Sequence, residues 1–414
     1  MRERGGKAAR AARPRAPRRV GARPRLPAGT FEDQLARCAA ALETALAAQD
    51  LSLFYAAFRA SDLPFLLGHH VDAPRGLARG CFGVIHRLGS ISPAVALAVE
   101  NHYYLSSALA LFPSLGDPAL DARRRALVRS IVDDRLLVAN TNSRVHTDQV
   151  GSLGSTARRE EGGFRISGSA AFMSLASEGD LVFFFTQVET EGPAFFVAPL
   201  RGNPEIEVGP LLFPDAMVDS DTRRVTFREL LLPSESALLV GKSEEMARFN
   251  AYQAAWHHTL IVAPFLGAAA RALEEARRFL RAVRGPNGQT LAELDGMVLD
   301  MGRMAILYRA ACTLAHRACL ALDEAAVGRA ELPELTDAFD LACASKQFGA
   351  RCAEEVVTEV RRIVGARAFT GAHVLERLSR EVMFGPLGGE VQAFIERRYG
   401  RRLLGGDDFM HNRW

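Results

Sequence analysis

Residues 164–175, FRISGSAAFMSL, and 180–188, DLVFFFTQV, mark the point at which the chain changes character. Both are short β-favouring runs bounded by turn formers, Gly162–Gly163 before the first and Glu191–Gly192 after the second. AFFVAPL (194–200), EIEVGPLLF (205–213) and TRRVTFRELLL (222–232) repeat the pattern, with Gly202-Asn203-Pro204 as a further turn. Together they predict a compact antiparallel β domain over residues 138–242, within the usual size of one domain.

Helical periodicity lies on both sides. FEDQLARCAAALETALAAQ (31–49) and ISPAVALAVENHYYLSSALALF (91–112) place apolar residues three and four apart. Asp117 and Asp121 bracket the start of a third helix, LDARRRALVRSIVDD (120–134). Residues 31–137 are therefore expected to form an N-terminal helical domain. From 243 to 414 the period returns in AAARALEEARRFLRAV (268–283) and in two long amphipathic runs, 294–328 and 337–365. Four long helices there predict a C-terminal four-helix bundle. The class is α+β in three parts.

The formal net charge of the 414 residues is +3, but its distribution matters more. Residues 1–30 hold nine Arg and one Lys against a single Glu, which leaves 41 basic and 47 acidic groups in the remainder. The body is thus mildly acidic and has no nucleic-acid footprint. The basic segment lacks an apolar face and is expected to be a disordered tail. No run has the length of a membrane span. Six scattered cysteines without C-x-x-C spacing argue against a zinc site or a disulfide framework, and fit a reduced, cytoplasmic setting.

Five motifs, in order, resemble the acyl-CoA dehydrogenase family over residues 35–405. VANTNSRVHTD (138–148) is similar to the family's T-E-P…G-S-D segment, with Thr141 and Asp148 in place and Thr147 where Ser is usual. EEGGFRISGSAAFMSLAS (160–177) resembles its glycine–aromatic–threonine strand pair through Gly168, Phe172 and Ser174. VTFRELLLPSESALLVG (225–241) looks like the family's exit from the sheet domain. FLGAAARALEEARRFLRAVRGPNG (265–288) places Gly267, Arg284 and Gly288 on the next motif. RRIVGARAFTGAHVLERLSRE (361–381) places Gly365 and Phe369 on the last, with Arg362 at a Gln position and Arg380–Glu381 standing for Arg-Asp.

The resemblance implies a flavoprotein holding FAD. Thr141, Thr147 and Ser174 would supply hydroxyls to the flavin edge and Phe172 an aromatic wall, the residue types such a ring needs. Arg284, Arg362 and Gly365 would meet the rest of the cofactor, a guanidinium being suited to pyrophosphate because its fork pairs two oxygens. In the family the Arg284 position reaches a neighbouring subunit's cofactor, which implies a homodimer or homotetramer. Taken singly, each residue also has a plainer role in core, strand or solvated helix end.

The family's reaction removes a proton α to a thioester carbonyl while hydride passes to the flavin. Its usual carboxylate base lies nine residues after the Arg of the last motif, and Gly389 stands there. Glu390 is one place late, and the Gly388–Gly389 pair would have to re-aim it. Some members carry the base on the first helix of the last domain, at the position of His257 in AAWHHTL (254–260). Histidine is a competent general base. The first expectation is therefore α,β-dehydrogenation of an acyl-CoA or acyl-carrier-protein thioester, with Glu390 or His257 as base and an electron-transfer flavoprotein as a possible acceptor. The alternatives are a flavin monooxygenase of the same fold, which needs no α-proton base, and a structural homologue without turnover.

Overall fold

The computed structural model describes residues 29–70, 75–141, 153–327, 332–370 and 373–405; the basic segment 1–28 and Thr147 lie outside them. Thr30 caps the first helix, its hydroxyl accepting from Asp33 N–H while the Asp33 carboxylate accepts from Thr30 N–H. The N-terminal helices are α1 (Phe31–Ala48), α2 (Ser52–Ala60), α3 (Leu67–His70), α4 (Leu77–Gly89), α5 (Pro93–Leu111) and α6 (Pro118–Asp133). The strands are β1 (Val138–Thr141), β2 (Ser155–Glu160), β3 (Gly163–Met173), β4 (Leu181–Val188), β5 (Gly192–Pro199), β6 (Ile206–Leu211), β7 (Arg223–Pro233) and β8 (Ala237–Val240). Then come α7 (Glu244–Leu260), α8 (Ala263–Ala282), α9 (Asp295–Val327), α10 (Leu332–Val364), α11 (Val374–Val382) and α12 (Gln392–Leu403). Among the described residues no helix is long and apolar enough to cross a membrane, and all six cysteines are free.

The strands form one sheet in the order β6-β7-β3-β2-β4-β5-β8, with β1 paired to β4 off that path. It is mostly antiparallel, as the short runs predicted, but β1 and β2 both pair with β4 in parallel. Those parallel pairings bring the chain from α6 into the middle of the sheet. The alternation of β4 then sorts its aromatics. Phe184 packs with Phe196 and Phe227 in the sheet's own core, while Phe183 and Phe185 face the helices with Phe195, whose ring lies 5.0 Å from Phe249 of α7. Arg59 of α2, nearly buried, ion-pairs with Asp180, whose carboxylate also accepts from Leu137 N–H at 2.9 Å. That joint locks the first helices to the edge of β4.

All 19 residues of α5 are buried, so it runs through the centre of the molecule. Glycines let α4 and α8 cross nearly backbone to backbone beside it. A Cβ on Gly267 would fall 2.2 Å from the His86 carbonyl oxygen, and one on Gly89 2.3 Å from that of Pro264. The start of α5 is held by Glu381 of α11, which accepts from Ala94 N–H at 3.0 Å. Burial raises the Glu381 carboxyl to about 7 from an ordinary value of 4.5.

An acid whose folded-state value is raised stabilises the fold fully only below its unfolded value, and that contribution is lost as pH rises through the folded one. Glu381 should therefore cost the protein stability between about pH 4.5 and 7, on the order of 3 kcal/mol at ~1.4 kcal/mol per unit. Glu381→Gln is expected to flatten that decline, gaining on the parent at pH 8 relative to pH 5. Urea midpoints at the two pH values check it; an unchanged difference would show that Glu381 does not titrate there.

Candidate functional site

The site residues collect on the seam between sheet and bundle. A register shift between Ala170 and Met173 bulges β3 where it pairs with β7. Phe172, in the bulge at φ 59°, is thrown outward and left 44 % exposed. The two hydroxyl residues lie against it. Thr141 Oγ1 donates to the Ala171 carbonyl at 2.7 Å, tying β1 to the bulge, and Ser174 Oγ lies 2.8 Å from Thr222 Oγ1. From Phe172 an aromatic row crosses to the bundle: Phe213 stacks on Phe172 at 6.0 Å, and Phe384, after α11, meets Phe213 edge-on at 4.7 Å. Phe384 begins the turn that carries Gly388 and Gly389.

His257, in the last turn of α7, faces that turn. An ideal Cβ on Gly389 would sit 2.9 Å from His257 Nε2, and the residue has φ 68°. Glycine is thus required twice over, by conformation and by the imidazole. The other ring nitrogen, Nδ1, is 3.0 Å from Oε1 of Glu100, a carboxylate with no exposure at all in the middle of α5. Tyr104, one turn along α5, packs its ring 4.7 Å from the imidazole, and its hydroxyl donates to Asn140 Oδ1 at 2.6 Å. The His257 side chain keeps 22 % of its surface exposed, so the pair runs from a buried carboxylate to an accessible nitrogen.

Burial raises the Glu100 carboxyl above its usual value, opposed by His257. A buried carboxylate is costly unless it is paired, and His257 supplies the partner. With the acid proton on Oε1, Nδ1 accepts it and the neutral imidazole carries its own hydrogen on Nε2; with Glu100 ionised, Nδ1 donates and Nε2 keeps a lone pair. The pair can thus present either a proton donor or a base to the site.

Glu390 is directed elsewhere. Its carboxylate pairs with Arg398 on one oxygen and lies 3.3 Å from His258 Nε2 on the other. The turn that was expected to re-aim it toward a substrate instead directs it between those two groups. His258 Nε2, Cys343 Sγ and Glu390 Oε2 lie within 4.8 Å of one another, a donor set of the kind that holds transition metals. Arg398, however, donates to both Cys343 Sγ, at 3.1 Å, and Glu390, so a guanidinium already supplies the positive charge there.

The remaining expected residues lie at the other end of the bundle. Arg284, just beyond α8, is exposed and donates to the Gly288 carbonyl at 2.7 Å. Arg362 pairs with Glu359 near the end of α10, and Gly365 follows with φ 69°. The guanidinium of Arg367 lies 5.6 Å over Phe279, which brings the ends of α8 and α10 together. A 20-residue α8, about 30 Å long, separates this end from His257. The structure therefore joins Thr141, Phe172 and Ser174 to the aromatic row leading to His257, and sets Arg284, Arg362 and Gly365 apart.

Residues 259–386 match the family model described as acyl-CoA dehydrogenase, C-terminal domain. No curated protein matches the chain. Solved structures align along nearly its whole length. FMN-bound TdsC from Paenibacillus sp. A11-2, a dibenzothiophene monooxygenase, is 19% identical, with a TM-score of 0.77 over 91% of this chain and 97% of its own. Methanesulfinate monooxygenase MsuC from Pseudomonas fluorescens is 16% identical, TM-score 0.75, over 91% and 97%. PigA, solved with FAD and proline, is 17% identical, TM-score 0.72, over 91% and 96%.

Gly389→Ala is expected to destabilise the protein by about 1 kcal/mol or more, through left-handed backbone strain and the contact with Nε2. Urea unfolding measures it. Gly400→Ala, where a Cβ meets nothing within 4 Å, serves as the control and should cost nothing. Equal effects at the two positions would contradict the packing described.

Proposed function

We propose that this chain, whose fold is that of the acyl-CoA dehydrogenases, is a flavin-dependent monooxygenase in which the Glu100–His257 pair delivers a proton. The observation that carries the reading is the turn at Gly389. Where a dehydrogenase of this fold projects its carboxylate, this chain has a glycine whose Cβ, if added, would fall 2.9 Å from His257 Nε2, and Glu390 is held by Arg398 and His258. The residues fit a flavin: an outward aromatic on a β-bulge, two hydroxyl residues beside it, and an aromatic row running to His257. A bound flavin, once reduced, supplies the electrons with which oxygen is split between product and water. Phe172 would wall the ring, and Thr141 and Ser174 would hold the bulge in shape. His257 Nε2 would give up the proton that the departing oxygen needs, and Glu100 would steady the ring that does so. TdsC was solved with FMN and PigA with FAD, and FAD remains the cofactor favoured here. Its far end would lie near Arg284 of a neighbouring subunit, since that residue is a helix length from His257 in its own chain.

The same pair supports a second reading. With Glu100 ionised and the proton on Nδ1, Nε2 becomes a base at the position some dehydrogenases use, and an acyl thioester would be the substrate. Burial of Glu100 favours the donor form and hence the first reading.

The experiment loads the full chain with FAD or FMN and separates the two. Reduced anaerobically and then mixed with ¹⁸O₂ and sulfur-containing or aromatic candidates, the protein should place one ¹⁸O atom in product. Bleaching of the oxidised flavin by an acyl thioester without oxygen would overturn the proposal in favour of dehydrogenation. His257→Gln should lower the productive rate roughly 10²- to 10⁴-fold with flavin still bound. Arg284→Ala should weaken flavin retention about tenfold or more, the worth of a charge-assisted phosphate contact, without unfolding the chain. Unchanged flavin content after dilution and gel filtration would remove Arg284 from the cofactor site.

A further inference from the structure

One face of α10 carries Asp340, Cys343, Lys346 and Gln347, three and four residues apart, and each meets the C-terminal segment. Asp340 pairs with Arg402, Cys343 accepts from Arg398 at 3.1 Å, and Gln347 donates to Glu396 at 2.7 Å. These three contacts fasten α12. Lys346 does something different. Its ammonium, 1 % exposed, donates to the backbone carbonyls of Pro386 at 3.1 Å and Glu390 at 2.7 Å. Those two carbonyls flank the Leu387-Gly388-Gly389 turn whose last glycine lies against His257 Nε2. Two adjacent glycines give that stretch wide backbone freedom; Leu387 and Gly388 N–H donate back to Phe384 O, and the Lys346 bonds hold the stretch from outside.

We propose that Lys346 is a positioning residue of the site: by bridging the carbonyls of Pro386 and Glu390 it fixes the glycine turn against His257 Nε2, and so sets how that nitrogen meets bound substrate. The inference rests on the reading of His257 as the proton-handling group. Burial holds the Lys346 ammonium down to about 8, opposed by the Glu390 carboxylate, so the group is charged at neutral pH and is strained by desolvation rather than idle. The groups facing His257 are Glu100 and Tyr104 from α5, His258 from its own helix, and the turn itself. Through His258 it is also near Glu390 and Arg398. Lys346 touches none of its ring atoms and acts through the turn.

The test compares Lys346→Met, Lys346→Gln and Gln347→Ala in the full chain without added ligand. The ¹⁵N–¹H signals of the His257 ring, identified by their loss in His257→Gln, are followed against pH. Hydrogen exchange of amides 387–391 is measured alongside. In Lys346→Met the turn amides should exchange about tenfold faster, as two lost hydrogen bonds imply. The His257 ring signals should move, because the turn beside Nε2 is no longer held in place. Lys346→Gln, which keeps a donor, should fall between this variant and the parent. Gln347→Ala loosens α12 alone and should leave the ring signals in place. If Lys346→Met proves too unstable, the Gln variant must still move the ring signals from their parental positions. Parental ring signals in either lysine variant, or an equal shift in Gln347→Ala, would overturn the inference. If instead His257→Gln turns over normally, the functional reading fails while the structural role of Lys346 stands.

Discussion

A carboxylate in the middle of a wholly buried helix constrains everything around it. Helix α5 has no exposed residue, yet it carries Glu100, Asn101, His102, Tyr103 and Tyr104 in succession. Four of these are satisfied locally or by the helix's neighbours. Asn101 Nδ2 donates to Leu97 O, Tyr103 to Leu63 O and Tyr104 to Asn140. His102 accepts from Val138 N–H on Nδ1 and therefore donates from Nε2 to Pro64 O, a neutral ring that burial holds down to about 4. Glu100 accepts from Asn101 Nδ2 on Oε2 at 3.4 Å and turns Oε1 to a titratable group with an open face. A structural carboxylate would be better served by backbone donors, as Glu381 is by Ala94 and Asp323 by Gly76. Pairing with a half-buried histidine links the buried carboxylate to a ring with an open face.

That choice organises the packing. His257 can reach Glu100 because α7 ends beside α5, and it can turn Nε2 outward because Gly389 has no side chain. The turn stays close because α10 holds it from behind. On the sheet side, the bulge in β3 aims Phe172 at the same seam, and Thr141 braces it. The sheet supplies an exposed aromatic ring, the bundle an imidazole, and α5 the carboxylate that meets it.

The three-part organisation was legible because periods of 2 and of 3.6 separate cleanly in this sequence. Phe183, Phe184 and Phe185 announce a strand buried on both faces, and the structure uses both. The parallel pairing of β1 and β2 with β4 was not legible, since alternation fixes which face a residue takes but not its neighbour. Phe172, Ser174 and Thr141, expected from motif order, lie at the sheet end of an aromatic row whose other end, at Phe384, begins the turn facing His257, which was expected from its helix position. Glu100 was missed. Its signal was present in ENHYY (100–104), a polar run inside a helix otherwise too apolar to face water, but nothing in one sequence says which distant residue a buried acid will meet. Glu390 illustrates the converse. Its spacing was one residue from the expected base, and at a glycine turn one residue reverses a side chain's direction.

The central claim is that the Glu100–His257 pair holds a proton at neutral pH and shows it on Nε2. It is tested most directly by ¹⁵N NMR of histidine-labelled protein at pH 7. The chemical shift of His257 Nε2 tells a protonated nitrogen from one with a free lone pair. A protonated Nε2 is expected in the parent. A lone pair on Nε2 of the parent at pH 7 would contradict the account and make His257 a base.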